Sequence, residues 1–252
     1  MDFAGKCFLI MGATSGIGSV VCAKLAQKGA SLYMTGRDKG ELDHLKDSLK
    51  NPDMHRILQV AIDAESYQEM KDDLSNFLSE KTFEGLNGGV YCPGIYPIIP
   101  LRALSWEIIE EIMKINFAGA MMMVQMVARK DFISKEGSSF VFISSVSGIR
   151  GQKAYSVYGA SKAALVAASR SLALELAPKN IKINCVCCGH LDTSTNIERD
   201  RTIPGRREHL NKEHPLGIGT PEDAAEAISF LLSEKSRWIT GTELVVDGGF
   251  SA

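Results

Sequence analysis

The sequence predicts an α/β protein with a doubly wound parallel sheet of seven strands and helices on both faces. Three observations predict this fold. Short β-rich segments alternate with longer amphipathic ones along most of the chain, which is typical of successive strand-helix-strand units. A glycine-rich turn follows the first β-rich segment. The 252 residues are 45% hydrophobic and 23% charged, enough to bury a core in one domain spanning residues 1–252.

Each predicted element follows from local signals. Gly29 closes the first helix, Ser105 caps the long central helix, and Pro221 precedes the last one. Strict alternation implies right-handed crossovers between parallel strands. The predicted strands are 6–11, 31–35, 57–62, 86–91, 139–143, 181–186 and 244–246, and the predicted helices are 16–28, 39–49, 66–79, 105–133, 155–176 and 222–232.

One stretch, residues 189–220, shows no helix or strand pattern. An irregular segment of that length is uncommon as a simple connection and often covers a binding site. We therefore predict that residues 189–220 form a lid over the substrate, and we call this segment the lid.

Composition narrows the possible functions. The formal net charge of −2 gives no reason to expect nucleic acid or an anionic membrane as a partner. No apolar run reaches the ~18 residues that a membrane span needs. Among the six cysteines, Cys185 and Cys188 have Cys-x-x-Cys spacing, but they lie in an apolar, strand-like stretch with only His190 nearby. We therefore expect buried thiols in a reducing, cytoplasmic setting and no metal site. They are Cys7, Cys22, Cys92, Cys185, Cys187 and Cys188.

The glycine-rich turn has the pattern of a phosphate cradle. Gly12-Ala-Thr-Ser-Gly16-Ile-Gly18 lies between the first predicted strand and helix. Glycines there allow a tight turn and let a pyrophosphate approach the amides at the helix start. A plain glycine turn is the alternative interpretation.

A second motif pairs a phenol with an amine. Tyr158 and Lys162 are four residues apart in a predicted helix, so both side chains project from one face. A nearby cation favours the phenolate, whose unperturbed pKa is near ~10. Together with the glycine turn, this pair points to an oxidoreductase that moves a proton alongside a hydride.

These motifs resemble, in order, those of the short-chain dehydrogenase/reductase family. The glycine turn matches the family's first motif, and Lys114-Ile-Asn116 matches its helix asparagine. Ile143-Ser144-Ser145 matches the catalytic serine, and the segment ending in Asp247-Gly-Gly249 matches the C-terminal signature. The resemblance covers nearly the whole chain and implies a Rossmann-like fold and an NAD(P)-dependent enzyme acting on CH–OH groups.

The resemblance also implies the roles of four residues. Tyr158 exchanges a proton with the substrate oxygen, and Lys162 lowers the Tyr158 pKa and holds the nicotinamide ribose. Ser145 hydrogen-bonds the substrate oxygen, and Asn116 holds a water that links Lys162 to solvent. The expected cofactor-binding residues are Gly12, Thr14, Ser15, Gly16, Ile17, Gly18, Arg37, Asp63, Cys92, Gly94, Gly189, Leu191 and Thr193, together with Tyr158 and Lys162; Asp63 would contact the adenine.

Cofactor preference is predicted from the end of the second strand. Members that prefer NAD tend to carry an acid where this chain has Gly36, and Arg37 follows it. A guanidinium suits the 2′-phosphate of NADP(H), so we expect NADP(H) to be preferred over NAD(H). The alternative is an arginine that is merely solvated.

The chain departs from the family pattern at three places. The family's Asn-Asn-Ala-Gly loop reads Tyr91-Cys92-Pro93-Gly94, the threonine before Gly12 is Met11, and the proline before Gly189 is Cys188. We expect Met11 to pack against the Cys92-Pro93 loop in place of a polar contact. We expect Cys188 to be an inert thiol near the nicotinamide.

By position, the substrate pocket is expected to include Ile95, Tyr96, Ile98, Ser147, Ile149, Tyr155 and His190. Most of them are apolar or aromatic, which indicates a hydrophobic carbonyl compound or alcohol. Two other interpretations stay open, a dinucleotide-binding sensor or scaffold without turnover, and a nucleotide-sugar epimerase. The resemblance suggests a homotetramer or homodimer.

Overall fold

In a computed structural model, residues 2–61, 67–80, 84–129 and 131–252 are described. Seven parallel strands form one sheet in the order β3-β2-β1-β4-β5-β6-β7. The strand order reverses between β1 and β4, the place where such sheets open a binding crevice. The strands are β1 Cys7–Met11, β2 Ser31–Gly36, β3 His55–Gln59, β4 Gly88–Tyr91, β5 Ser138–Ser145, β6 Ile181–Cys188 and β7 Glu243–Val246. The predicted doubly wound sheet is confirmed.

Helices cover both faces of this sheet. Among the described helices, none is long and apolar enough to cross a lipid bilayer. They are α1 Gly16–Gln27, α2 Lys39–Ser48, α3 Tyr67–Ser79, α4 Trp106–Met113, α5 Gly119–Val127, α6 Ser156–Leu176, α7 Ser194–Thr202, α8 Arg206–Glu213 and α9 Pro221–Leu232.

Alternation along the strands divides the core into two layers. Phe8 and Ile10 of β1 face one layer, where α1, α2 and α9 pack. Leu9 and Met11 face the other layer, where α3, α5 and α6 pack. Because β1 is buried on both faces, its sequence is a continuous apolar run.

Two predicted elements differ from the structure. The helix expected over 105–133 ends at Val127 and is interrupted by one π-helical turn, Lys114–Ala118. The lid is largely helical, because α7 and α8 occupy much of it. Thr193 caps α7, accepting a bond from the Asn196 backbone N–H at 3.3 Å. Both helices are strongly polar, so neither carries the apolar stripe by which sequence periodicity identifies a helix.

Candidate active site

The candidate residues meet at the carboxyl ends of the central strands. Gly12 follows β1, Cys92 follows β4, and Ser145 ends β5. Ser145 is in register with Cys188, the last residue of β6. Tyr158 and Lys162 come from the first turns of α6, which packs against β5 and β6. The sheet therefore gathers residues that are far apart in sequence into one crevice.

Lys162 is held in a buried position. Only 4% of Lys162 is exposed, and its Nζ donates to the Ile143 backbone oxygen at 2.8 Å. Nζ lies 5.8 Å from the centre of the Tyr158 ring. Burial lowers the Lys162 pKa to about 8 because the charged amine loses its hydration. At neutral pH the ammonium form still predominates.

The environment of Tyr158 differs from the expectation that Lys162 lowers its pKa. Burial of the phenol raises the Tyr158 pKa, and the main opposing contact is a hydrogen bond with Ser145. Ser145 Oγ also accepts a bond from the Ser147 backbone N–H at 3.2 Å. Lys162 Nζ is directed toward the main chain of β5. In this structure, then, Ser145 rather than Lys162 favours the ionised phenol.

Asn116 is fixed by three hydrogen bonds inside the π-helical turn. Its Oδ1 accepts from the Ile95 backbone N–H at 2.8 Å, and its Nδ2 donates to the Ile95 oxygen at 2.9 Å. Nδ2 also donates to Ser161 Oγ at 3.0 Å. π-Helical turns are frequent at functional sites because they shift side-chain direction. Here the turn makes Asn116 the tie between the 92–100 loop and α6; its expected role toward a water stays a prediction.

The glycine turn leaves no room for side chains. Gly12 has φ +71°, and a Cβ there would lie 3.0 Å from Pro93. A Cβ at Gly18 would lie 2.2 Å from the Gly12 oxygen. Ser15 caps α1 by accepting a bond from the Gly18 N–H at 3.1 Å. Among the described residues, the N–H groups of Gly16 and Ile17 at this helix end have no hydrogen-bond partner.

Other predicted cofactor residues border the same crevice. A Cβ at Gly94 would lie 3.2 Å from Lys162 Nζ, so the loop passes close to this amine. A Cβ at Gly16 would lie 2.7 Å from a Thr193 methyl group, which places the start of α7 over the start of α1. Gly189 lies against Asp247, because a Cβ on Gly189 would be 2.8 Å from the Cα of Asp247. Leu191 is buried and bridges to Gly219 within the lid.

Arg37 is exposed at the end of β2, near Thr14. A Cβ at Gly36 would lie 3.4 Å from Thr14 Oγ1, so the hydroxyl borders this strand end. The Arg37 backbone oxygen accepts from Gln59 Nε2 at 3.0 Å. Its guanidinium makes no ion pair within the described part of the chain. Asp63, expected at the adenine, lies outside the described residues.

The loop that departs from the family pattern, residues 91–94, packs differently from the expectation. Met11 belongs to the core layer of α5 and α6, whereas Cys92 packs against the opposite layer. Met11 is in register with Tyr91, so Cys92, one residue later, faces the opposite side of the sheet, and the expected packing of Met11 against Cys92 is wrong. The expected contact of Met11 with Pro93 stays a prediction. The Cys92 backbone N–H instead donates to the Met11 oxygen at 3.0 Å. Pro93 lies over Gly12.

The thiols of Cys92 and Cys188 in the site are unreactive at neutral pH. Burial raises the pKa of Cys92 and of Cys188 to about 12. Since the thiolate is the reactive form, both thiols are inert at neutral pH. The described residues include no group of three His, Cys, Asp or Glu side chains placed to hold a metal ion.

Two tyrosines surround Tyr158 on the substrate side. Its ring centre lies 6.0 Å from that of Tyr96 and 5.6 Å from that of Tyr155. Ser147 Oγ donates to Gln152 Oε1 at 2.6 Å. Ile98 and Ile149 are exposed, as expected at the rim of an open pocket.

His190 is tied into the lid. Its Nε2 lies 2.8 Å from Asp200 Oδ2, and Asp200 Oδ1 accepts from Arg206 Nε at 3.0 Å. The Asp200 side chain is only 2% exposed, so its charge is balanced inside this cluster. The His190 backbone N–H donates to His214 Nε2 at 3.2 Å. The His190 pKa is lowered, chiefly by burial.

Sequence reasoning missed Asp200, Arg206 and Arg199. Arg199 of α7 donates from Nη1 to the Tyr96 oxygen at 3.2 Å, and its guanidinium carbon lies 4.4 Å from the Tyr96 ring centre. These residues sit in a mixed run of charges without a motif, and only the folded lid brings them to the pocket. A surface cleft of about 480 Å³ lies between α7 and α8, away from Tyr158.

Comparison with protein families agrees with this geometry. Residues 12–251 match the family model described as enoyl-(acyl carrier protein) reductase. The chain is 29% identical over 249 residues to the 3-oxoacyl-[acyl-carrier-protein] reductase FabG of Aquifex aeolicus (strain VF5), covering 97% of each chain. It is 33% identical over 250 residues to carbonyl reductase family member 4 of Xenopus laevis, again covering 97% of each.

A solved structure shares the whole fold. It is the crystal structure of a short-chain dehydrogenase/reductase titled glucose/ribitol dehydrogenase, from Brucella melitensis. The two chains superpose with a TM-score of 0.89 and 28% sequence identity, and the match covers 100% of both.

Proposed function

Because this chain belongs to the short-chain dehydrogenase/reductase family and is an NAD(P)-dependent oxidoreductase, we propose that it interconverts a ketone and a secondary alcohol on a hydrophobic small molecule, with NADP(H) as cofactor. The observation that carries the proposal is the meeting of Ser145, Tyr158 and Lys162 at the carboxyl edge of the sheet. Two relatives are named as reductases of carbonyl compounds, which favours reduction as the direction.

The glycine turn fits a dinucleotide. Gly12 and Gly18 permit a turn that a Cβ would block, and the unpaired N–H groups of Gly16 and Ile17 are donors suited to a pyrophosphate. We assign Thr14 and Ser15 to the same cradle, and Gly94, Gly189, Leu191 and Thr193 to its nicotinamide side. When bound, the cofactor supplies or accepts the hydride.

The chain's own residues manage the proton and the developing charge. Tyr158 Oη donates the proton to the substrate oxygen in reduction and accepts it in oxidation. Ser145 Oγ, which bonds to Tyr158 in this structure, turns its single proton to the substrate oxygen as charge develops there. Lys162, an ammonium at neutral pH with its Nζ 5.8 Å from the Tyr158 ring centre, keeps a positive charge beside the site and would hold the nicotinamide ribose. Burial of Tyr158 keeps the phenol protonated before the reaction, which suits an acid.

Arg37 supports the choice of cofactor. Its exposed guanidinium lies at the end of β2 and has no carboxylate partner among the described residues, so all its donors are available to a 2′-phosphate. An acid at Gly36 would instead favour the two hydroxyls of NAD(H).

Three further assignments belong to the same proposal. Residues 1–252 act as one domain in which the lid closes over the substrate. The protein works in the cytoplasm, consistent with six free cysteines. It assembles as a homotetramer or homodimer, for which exposed Leu174, Trp238 and Val245 offer apolar contact.

The experiment is a screen of ketones with NADPH, followed by absorbance of the cofactor. We expect turnover of apolar ketones, and a loss of kcat of roughly 10²–10⁴-fold in Tyr158→Phe with NADPH binding retained. Tyr33→Phe removes a phenol hydroxyl from β2, outside the crevice, and should retain turnover. Binding of NADPH without turnover of any ketone would favour a sensor or scaffold instead, and equal rates in Tyr158→Phe would refute the assigned acid.

A further inference from the structure

Unlike Arg206 and Arg207 of the lid, Arg199 has no ion-pair partner among the described residues. Arg206 bonds to Asp200 at 3.0 Å, and Arg207 bonds to Asp192 at 2.6 Å. Arg199 is half-buried, yet it makes no ion pair with any described carboxylate. Its contacts are with the oxygen and the ring of Tyr96. A cation that is partly removed from water normally has an anionic partner.

The position of Arg199 connects it to the reaction. Its guanidinium carbon lies 4.4 Å from the Tyr96 ring centre, and that ring centre lies 6.0 Å from the Tyr158 ring centre. Arg199 and the phenol assigned to proton transfer therefore both lie beside the Tyr96 ring.

The stacking of Arg199 on the Tyr96 ring orients the guanidinium to bind an oxyanion. A guanidinium lying on an aromatic face is held in one plane, while the N–H groups at its edge stay available. One N–H of Arg199 is used by the Tyr96 oxygen, and the others can form the paired bonds that carboxylates and phosphates accept. Little conformational entropy remains to be lost on binding.

Asp192 and Asp200, the two aspartates of the lid, are already paired with residues other than Arg199. Asp200 is adjacent in sequence, but both of its oxygens are occupied, one by His190 and one by Arg206. Asp192 is occupied by Arg207 through two bonds of 2.6 and 2.7 Å. Asp192 and Asp200 are thus paired with other residues, and no described carboxylate forms an ion pair with Arg199, which leaves Arg199 for a ligand.

We propose that Arg199 recognises an acidic group on the substrate, so that the substrate is an apolar ketone ending in a carboxylate or a phosphate ester. This inference rests on the proposed ketone reduction at Tyr158. The apolar and aromatic walls receive the chain of the substrate, and Arg199 receives its charged end.

The test compares matched pairs of ketones. We would measure kcat/KM with NADPH for 5-oxohexanoate, 6-oxoheptanoate and 7-oxooctanoate, each beside its methyl ester, and for 5-oxohexyl phosphate beside 6-hydroxyhexan-2-one. The wild type should prefer at least one anion over its neutral partner by roughly 10- to 100-fold, the range of charge-assisted hydrogen bonds. The preferred pair tells a carboxylate from a phosphate.

Variants separate recognition from a merely structural role. Arg199→Met should bring the anion-to-neutral ratio close to one, and Arg199→Lys should restore part of it. Arg201→Met removes the same charge from an exposed position of α7 and should leave the ratio unchanged. If Arg199→Met lowers both members of each pair equally, Arg199 only holds the Tyr96 loop in place and the inference is overturned.

A binding measurement keeps this inference separate from the proposed reaction. Calorimetry would compare octanoate with octanamide on the wild type and on Arg199→Met, each saturated with NADP⁺. Tighter binding of octanoate that is lost in Arg199→Met supports the anion site even if no ketone is reduced. Equal Kd values for octanoate and octanamide on the wild type, together with turnover of neutral ketones only, would reject the anion site while the proposed reaction stands.

Discussion

Replacing Asn116 by alanine tests how the candidate site is held together. The side chain is fully buried and joins two segments, the 92–100 loop and α6, through three hydrogen bonds. Asn116→Ala removes all three bonds and leaves the N–H and oxygen of Ile95 without these partners. Ser161 Oγ keeps its own bond to the Tyr158 oxygen at 2.7 Å.

The expected loss follows from the number of bonds. Each bond contributes a net ~1 kcal/mol to the free energy of unfolding, and stranded polar groups raise the cost of losing it. Water at the half-exposed loop can replace part of the three lost bonds, so we expect the free energy of unfolding to fall by about 2–4 kcal/mol. For a chain of this size each 1 kcal/mol lowers Tm by about 2–4 °C, so we expect a decrease of roughly 5–15 °C.

The assay is urea and thermal unfolding followed by circular dichroism. Asn76→Ala is the matched control, since Asn76 is exposed on α3 and should change the free energy of unfolding by at most ~0.5 kcal/mol. The KM for a ketone should also rise more than the KM for NADPH, because the freed loop carries Tyr96. A loss below ~1 kcal/mol, or one equal to that of Asn76→Ala, would refute the view that Asn116 ties the loop to α6.

Two further predictions concern the cofactor and the thiols. Arg37→Ala should lower kcat/KM for NADPH by roughly 10- to 100-fold and leave that for NADH nearly unchanged; equal losses with both cofactors, measured by absorbance, would contradict the assigned 2′-phosphate contact. Burial raises the Cys185 pKa to about 12. Above pH ~9 the unfolded chain therefore releases the thiol proton while the folded chain keeps it. As a result, the free energy of unfolding falls by about 1.4 kcal/mol for each unit of rising pH. Urea unfolding at pH 8.5 and 10.5 should show a smaller loss for Cys185→Ala than for the wild type, and identical losses would count against a buried neutral thiol.

The sheet and its glycine turn could be predicted because each depends on local signals. The apolar runs 7–11 of β1, 140–143 of β5 and 185–188 of β6 are long enough to mark strands buried on both faces. Gly12, Gly16 and Gly18 are needed where a Cβ meets the backbone or Thr193, so their spacing already encodes the turn. The placement of Tyr158 and Lys162 on one face of α6 follows from helical spacing alone.

The lid and the π-helical turn could not be predicted in this way. Helices α7 and α8 are polar and are held by Asp200, Arg206 and other charged residues, whose partners are decided only by folding. The π-helical turn depends on the bonds from Asn116 to Ile95 and Ser161, and these residues are far apart in sequence. The net effect on the Tyr158 pKa likewise depends on burial, which no spacing reveals.

The three departures from the family pattern leave the cradle intact for a physical reason. The tie between the first two loops is made by main-chain atoms, since the Cys92 N–H donates to the Met11 oxygen at 3.0 Å. Any residue but proline at position 92 supplies this N–H, and any residue at position 11 supplies the oxygen. The bond therefore does not require a threonine side chain before Gly12. Pro93, which has no N–H to lose, lies 3.0 Å from where a Gly12 Cβ would be. Strand register thus positions this loop, and the side chains of Met11 and Cys92 are free to serve the two core layers.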